Sequence, residues 1–496
     1  MNGDPTNEYL CGLVQELIKL PRETEWVEFK HNNCDPEEIG EYISALSNSS
    51  ALNGKANGYI IWGVDNGSRD IVGTSFSPLD SKKGNEPLET WLLRLLTPKI
   101  HFRLHQLTLN GFTLAMLEVA RAFRHPVRFK TEEFVRIGEV KKPMREAPDH
   151  ERELWRILDQ TPFEQLLAAE RLTATDALSM LDHEAYFNLL KQPVPATRDA
   201  ILDMLKSDGV VIPNQAGGWD ITNLGAVLFA RRLNDFLQLK RKAIRVIQYS
   251  GTDRTDTIKE QLGQRGYASG FEGLVEYINA RLPSNEVMGQ ALRKEVSMYP
   301  ELAIRELVAN ALIHQDFFVR GTGPMVEIFS DRIEITNPGS PLVPPDRFMD
   351  SPPKSRNETL ASMMRRCGVC EERGSGIDKV AVQVELFQLP APLFEDPVGY
   401  TRIVLFAHRP LIEMDRSERT RACYLHACLR FVTRQHMTNS SVRERFGIDE
   451  KNAATASRLI KEAVEAGVIG PYDPMAANKL MRYVPYWAIP KTEGGI

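Results

Sequence analysis

Residues 57–66 read Asn-Gly-Tyr-Ile-Ile-Trp-Gly-Val-Asp-Asn. Four consecutive apolar residues, Tyr59 to Trp62, lie between turn formers at both ends. A short unbroken apolar run bounded in this way predicts a buried strand. Upstream, residues 36–48 predict a helix, with Asp35 as its N-cap and Glu37 and Glu38 in its first turn. Residues 9–19, YLCGLVQELIK, have the periodicity of an amphipathic helix. Strand-like pieces follow at 113–119 (TLAMLEV) and 134–137 (FVRI), and a connecting helix is expected around 150–158.

The 496 residues suggest three or four domains at about 150 residues each. A formal charge of −5, 42% hydrophobic and 26% charged residues exclude wholesale disorder, a collagen-like chain and a protein that coats nucleic acid by overall positive charge. Six cysteines are too few for a disulfide framework. No apolar run approaches the roughly 18–20 residues of a membrane span. The opening MNGDPTNEYL lacks the basic and apolar regions of a secretory signal. A cytoplasmic protein without membrane contact is therefore expected.

Beyond residue 150 the pattern changes. Short helices at 175–181, 183–190 and 197–207, then VVIP and a Gly-Gly pair at 217–218, suggest a winged-helix unit. Residues 241–250 read as a strand and 299–318 as a strong helix, followed by the strand pair GPMVEIFSDRIEITNPG. A polar segment at 409–416 reads as a linker. The tail has a helix-turn-helix pattern, with its turn at Gly447-Ile448-Asp449, a helix at 451–466 and a wing ending in MRYVPYWAI. The expected class is α+β multidomain, divided at 1–150, 151–235, 236–410 and 411–496.

Two sets of residues carry chemistry. Upstream of the buried strand, Glu23-Thr24-Glu25-Trp26-Val27-Glu28-Phe29-Lys30 is acid-rich, and Asp65 ends the strand itself. In an extended chain Glu23 and Glu25 share a face and Glu28 lies on the other; in a turn followed by a strand, Glu23 and Glu28 can converge. Three carboxylates can hold Mg²⁺ or Mn²⁺ through hard oxygens, and such an ion activates water against a phosphodiester. The same spacing also suits solvated surface acids and a turn-forming aspartate.

ETEWVEFK followed by ISALSNSSALNGKANGYIIWGVDNGSRDIVGTSF resembles the Schlafen AlbA-like domain over about residues 15–145, and FVRIGEVKKP resembles its later Arg-x-Gly strand. The resemblance implies a nucleic-acid-binding domain. In its nucleolytic members it implies a metal-dependent RNase site, carried here by Glu23, Glu28 and Asp65 as metal ligands, with Lys30 beside them.

Residues 99–145 hold ten basic residues against four acids, interleaved with phenylalanines. Arg121, Arg124, Arg128, Lys130, Arg136, Lys141 and Lys142 are expected to meet phosphates, with the rings stacking on bases. In the tail, Arg458 and Lys461 lie on the expected recognition helix, although 440–466 is charge-balanced overall.

The second set lies at 301–378. Glu306 and Asn310 are four residues apart on one helix and so share a face. A carboxylate there can orient a water and an amide oxygen can ligate Mg²⁺. Asn337-Pro338-Gly339 turns the chain after a strand, and Gly374-Ser375-Gly376 opens a helix whose N–H groups suit phosphate.

ELVANALIHQDF, ITNPGSP and PPKSRNETLASMMRRCGVCEERGSGIDKV together resemble the GHKL (HATPase-like) α/β sandwich. That resemblance implies ATP binding, with Glu306 as general base, Asn310 as Mg²⁺ ligand, and Asn337, Gly339, Gly374 and Gly376 about the nucleotide. Asn337 stands where better-known members use an adenine-reading aspartate, and Gln315 replaces a common arginine. GHKL relatives often pair, so a homo-oligomer is expected. No Walker A motif is present, which argues against a P-loop helicase.

Cys367-x-x-Cys370, and Cys423 with Cys428 near His426, invite a zinc reading, but core thiols are the expectation. The reading that follows is an ATP-binding, metal-dependent nuclease favouring RNA such as tRNA, in an architecture suited to anti-phage defence. The alternative is a nucleotide-responsive, DNA-binding transcriptional regulator without nuclease activity.

Overall fold

In the strand Asn57–Trp62, Tyr59 and Ile61 enter one core cluster, Ile60 and Trp62 enter another, and all four are buried. Successive side chains of a strand point to opposite faces, so this alternation means both faces are covered. The computed structural model describes residues 7–20, 24–214, 217–288, 293–352, 354–370, 376–477 and 480–490. The chain groups into two units. The first comprises Met1–Pro162, Glu170–Thr173 and Pro213–Asp220; the second comprises Phe163–Ala169, Ala174–Ile212 and Ile221–Ile496.

In the first unit, a four-stranded sheet has the order Val27–Lys30, Asn57–Trp62, Phe112–Ala120, Phe102–Leu109. Val27–Lys30 runs parallel to Asn57–Trp62, and the helix Pro36–Leu52 makes the crossover between them; the other pairs are antiparallel. Leu10, Leu13, Val14 and Leu17 of the helix Asn7–Ile18 have i, i+3, i+4, i+7 spacing and cover one face. Each such side chain, removed from water, contributes about 1.5–3 kcal/mol before entropy is counted.

The other face meets Pro36–Leu52, which is buried from Tyr42 to Ala51. Asp35 caps this helix, accepting from Glu38 N at 3.1 Å.

One side of that helix is polar although buried. Ser44 Oγ donates to Val127 O (2.6 Å) and accepts from Phe134 N (2.9 Å). Asn48 Nδ2 donates to Val127 O (2.9 Å) and Phe134 O (2.8 Å), while its Oδ1 accepts from Val127 N (2.8 Å). Ser47 Oγ donates to Ala120 O at 2.8 Å, and Ser49 Oγ accepts from Arg136 N at 2.9 Å. Backbone groups that lack a ladder partner are satisfied by a helix instead. This fixes a second antiparallel sheet, made of Val140–Pro143, Glu132–Ile137, Arg128–Phe129 and Leu96–Thr97, against the helix.

The second unit is built on a six-stranded sheet in the order Thr257–Leu262, Arg245–Tyr249, Met325–Ile328, Arg332–Pro338, Tyr400–Phe406, Leu393–Glu395. Only Arg245–Tyr249 and Met325–Ile328 pair in parallel. The helix Glu301–Ile313 packs on Arg332–Pro338, Tyr267–Asn279 and Gly376–Leu386. It ends at His314, short of the expected residue 318.

Short helices at Ala174–Met180, His183–Leu189, Arg198–Ser207 and Asn223–Phe229 belong to the same unit. So do the tail helices Arg416–Val432, Asn439–Phe446 and Ala453–Glu465, and the short antiparallel strands Ile469–Pro471 and Tyr483–Pro485. Gly447 closes the second tail helix in the left-handed conformation, φ 61°. Among the described residues, no helix is long and apolar enough to cross a membrane.

Candidate functional site

A cleft of about 620 Å³ opens beside the helix Glu301–Ile313. Glu306, Asn310 and His314 recur every four residues and line it. Its floor is the sheet face of Asn337, Thr401 and Ile403, where Asn337 pairs with Thr401 and Ile335 with Ile403. Its far wall is the segment between Ser340 and Arg356, followed by the helix Glu358–Arg366. That wall adds three cations, Lys354, Arg356 and Arg365.

The wall is tied to the helix end. Asn357 Nδ2 donates to Ile313 O (2.7 Å) and Gln315 O (2.8 Å), satisfying carbonyls that the helix terminus leaves open. Arg356 donates to His314 O at 3.3 Å and Ser340 O at 3.0 Å. Burial, with the Arg356 guanidinium adding to it, pushes the His314 imidazole down to about 4, so it is neutral at pH 7.

Glycine is required twice here. A Cβ on Gly376 would lie 2.0 Å from Glu306 Oε1. Gly339 has φ 96°, and a Cβ there would lie 2.6 Å from Arg356 Nη1. Four of the expected nucleotide residues, Glu306, Asn310, Asn337 and Gly376, are thus brought together at the cleft, with Gly339 behind its wall. Gly374 lies outside the described residues. Sequence reading missed Lys354, Arg356, Arg365 and Thr401; the cluster PPKSRN just after the Gly339 turn was the available signal for the first two.

The amino-terminal carboxylates form a different arrangement. Glu28 is buried, and its carboxylate has two cations and a hydroxyl close by. Arg136 Nη2 stands 2.8 Å from Oε2, Tyr42 Oη donates to Oε1 at 2.9 Å, and Lys30 Nζ is 3.3 Å away. Lys30 also reaches Glu38 at 3.1 Å. Asp65 is exposed and folds back on its own turn, accepting from Gly67 N (3.0 Å) and Ser68 N (2.8 Å). Ser68, and then Gly67, hold its carboxyl below the usual range.

Glu23 lies outside the described residues. Among the described residues, no group of three or more His, Cys, Asp or Glu is placed to hold a metal ion. Of the expected metal-site residues, Glu28 and Lys30 thus lie in an ion-pair network and Asp65 in an exposed turn. The charges of Glu28 and Lys30 neutralise neighbours inside the fold, because a buried carboxylate is stable only when paired.

The basic stretch is corrected in one place as well. Arg136 is fully buried: it donates to Val27 O and pairs with Glu28, so it is a core residue rather than a surface contact. Lys130 pairs with Glu37 at 2.5 Å and Lys141 with Glu41 at 2.6 Å. Arg121 is half-buried, and that burial lowers its pKa. Arg124, Arg128 and Lys142 are exposed. Of the interleaved rings, Phe102, Phe129 and Phe134 are core. Arg458 and Lys461 are exposed on Ala453–Glu465. All six cysteines are free thiols, and Cys367, Cys423 and Cys428 are buried.

The fold and site define an α+β protein with a cation-lined cleft beside a helix that carries a carboxylate and an amide. More particularly, residues 23–145 match the family described as "Schlafen, AlbA_2", and residues 321–405 match "Putative ATP-dependent DNA helicase recG C-terminal". The chain thus joins a Schlafen AlbA-like domain to an ATPase-like domain, which supports a nucleic-acid-processing, ATP-binding protein. Among solved structures, it is similar to the DIP2311 protein from Corynebacterium diphtheriae at 18% identity, covering 96% of this chain and 97% of that one with a TM-score of 0.41. No curated protein matches it.

Proposed function

We propose that the protein is a nucleotide-responsive nucleic-acid binder that holds ATP in the cleft beside Glu306. The convergence of Glu306, Asn310 and Asn337 with Lys354, Arg356 and Arg365 supports this reading. The cavity falls within the roughly 300–1,000 Å³ of small-molecule sites. Three cations on one wall suit a polyphosphate. The Asn310 amide oxygen is a hard donor that would hold Mg²⁺ or Mn²⁺, which when bound neutralises phosphate charge. Glu306 would orient a water toward the terminal phosphate.

On this reading, the exposed Arg124, Arg128 and Lys142 of the AlbA-like domain meet nucleic-acid backbone, and Arg458 and Lys461 do so in the tail. The nuclease reading draws no support from Glu28, whose carboxylate is occupied by Arg136 and Tyr42.

Titration of Mg²⁺–ATP into the full chain, followed calorimetrically, tests the proposal. Binding is expected, weakened about tenfold or more by Arg356→Ala or Asn310→Ala. No heat of binding at millimolar ATP would overturn it. In parallel, tRNA, single-stranded DNA and duplex DNA are incubated with Mn²⁺ or with EDTA. Retention without metal-dependent cleavage is expected. Cleavage that Asp65→Ala abolishes would restore the nuclease.

A further inference from the structure

The segment that walls the cleft is held from behind by the tail. Between Ser340 and Arg356, the residues Asp346 to Met349 face the helix Arg416–Val432. Tyr424 Oη donates to Asp346 O, and Tyr486 Oη donates to the Asp346 carboxylate. Trp487 Nε1 donates to Tyr424 Oη at 3.1 Å, and the Arg347 guanidinium lies over the Trp487 ring at 4.6 Å. The Tyr424 and Tyr486 rings stack with their centroids 6.2 Å apart. Phe348 borders two spaces at once. On one side is the cleft; on the other is an apolar cavity of about 180 Å³ walled by Tyr424, Leu425 and Cys428 of the tail helix.

A second bracket joins the tail to the other side of the cleft. The helix Gly376–Leu386 begins against Glu306, and near its end it carries Glu385. Both Glu385 oxygens lie 3.0 Å from His426 Nδ1, and Arg445 Nε is 3.6 Å away. His426 Nε2 is 3.0 Å from Ser441 Oγ.

Serine, histidine and carboxylate in this order have the connectivity of a hydrolytic triad. Yet Ser441 is 3% exposed, and its Oγ already accepts from Thr438 N at 3.0 Å, so it offers no nucleophile to a substrate. The chain of contacts is a clamp between helices. Arg445 Nη2 extends it by donating to Leu389 O at 2.6 Å.

We infer that the tail, residues 416–488, is the output element of the nucleotide cleft: seating of ATP and docking of the tail stabilise one another through the Asp346–Tyr486 and Glu385–His426 brackets. This rests on the ATP reading above. The physical reason is that the docked tail holds Asp346 and Arg347, and so the adjoining Phe348 where it lines the cleft. A ligand touching that wall binds more tightly to the docked form, and linkage makes the effect mutual. The void behind Phe348 leaves the wall room to retreat when the bracket is released.

The test uses the full chain, hydrogen exchange and the variant Tyr486→Phe, which removes one hydroxyl from a partly exposed ring. Without nucleotide, the variant is expected to exchange faster at 340–352 and 376–386, as well as around 483–488. With ATP, wild-type residues 416–432 are expected to be protected, and the variant to bind ATP about fivefold more weakly. Glu385→Gln is expected to weaken ATP binding in the same direction. Faster exchange confined to 483–488, or ATP binding unchanged in both variants, would overturn the coupling. If the wild type binds no ATP, the ATP reading falls, while the nucleotide-free exchange pattern still decides whether tail and cleft wall are linked.

Discussion

Glu28→Gln separates a structural carboxylate from a metal ligand. In the folded chain Arg136 is fully buried, with its guanidinium against Glu28 at 2.8 Å, the Val27 carbonyl and the Glu139 carbonyl at 3.2 Å. Replacing the carboxylate by an amide leaves a buried cation facing neutral groups. Breaking a buried pair from one side costs about 3–5 kcal/mol. The Tyr42 hydroxyl also exchanges a charged acceptor for a neutral one, which adds about 1 kcal/mol.

Hydrogen exchange of the full chain reads this locally. Amides of Val27–Lys30 and Glu132–Ile137 are expected to exchange at least a hundredfold faster, since each 1.4 kcal/mol is about tenfold. The double variant Glu28→Met with Arg136→Met is expected to recover much of the loss, because an apolar pair of similar volume needs no counter-charge. An open metal site behaves oppositely, since removing one of several repelling carboxylates stabilises the metal-free protein. Unchanged or slower exchange in Glu28→Gln would refute the structural assignment.

Gly376→Ala is expected to abolish ATP binding in calorimetry while far-ultraviolet dichroism stays unchanged, because its Cβ displaces the Glu306 carboxylate from 2.0 Å away. Asn48→Ala is expected to cost about 3 kcal/mol in urea unfolding of the first unit, since Val127 N, Val127 O and Phe134 O lose their partner together. His314 has a folded pKa near 4 against an ordinary 6.5, so the unfolded chain binds the extra proton between these values. Stability from this group is therefore full above about pH 6.5 and falls toward pH 4, by about 2–3 kcal/mol. His314→Gln is expected to flatten that part of a Tm-against-pH curve.

Local signals carried much of the reading. The run from Tyr59 to Trp62 and the Asp35 cap specify their strand and helix through neighbours in sequence, so both were legible. The four-residue spacing of Glu306 and Asn310 placed them on one face, and that face lines the cleft.

What escaped was set by contacts distant in sequence. Arg136 lies in FVRI, where alternation gives no sign that a cation is buried, and its partner Glu28 is on another strand. Lys130 and Lys141 looked like free charge along the chain, but their counter-ions Glu37 and Glu41 sit on the crossover helix. The tail brackets pair residues such as Asp346 and Tyr486, which no periodicity connects.

The serines and asparagine inside Pro36–Leu52 also limit how this protein can be cut. A fragment starting after residue 52 would carry strands whose Ala120, Val127, Phe134 and Arg136 main-chain groups have lost their mates. Such a piece would be expected to aggregate through those groups. Expression boundaries for the amino-terminal half therefore belong upstream of the helix Asn7–Ile18, which with the strand Val27–Lys30 completes the same core.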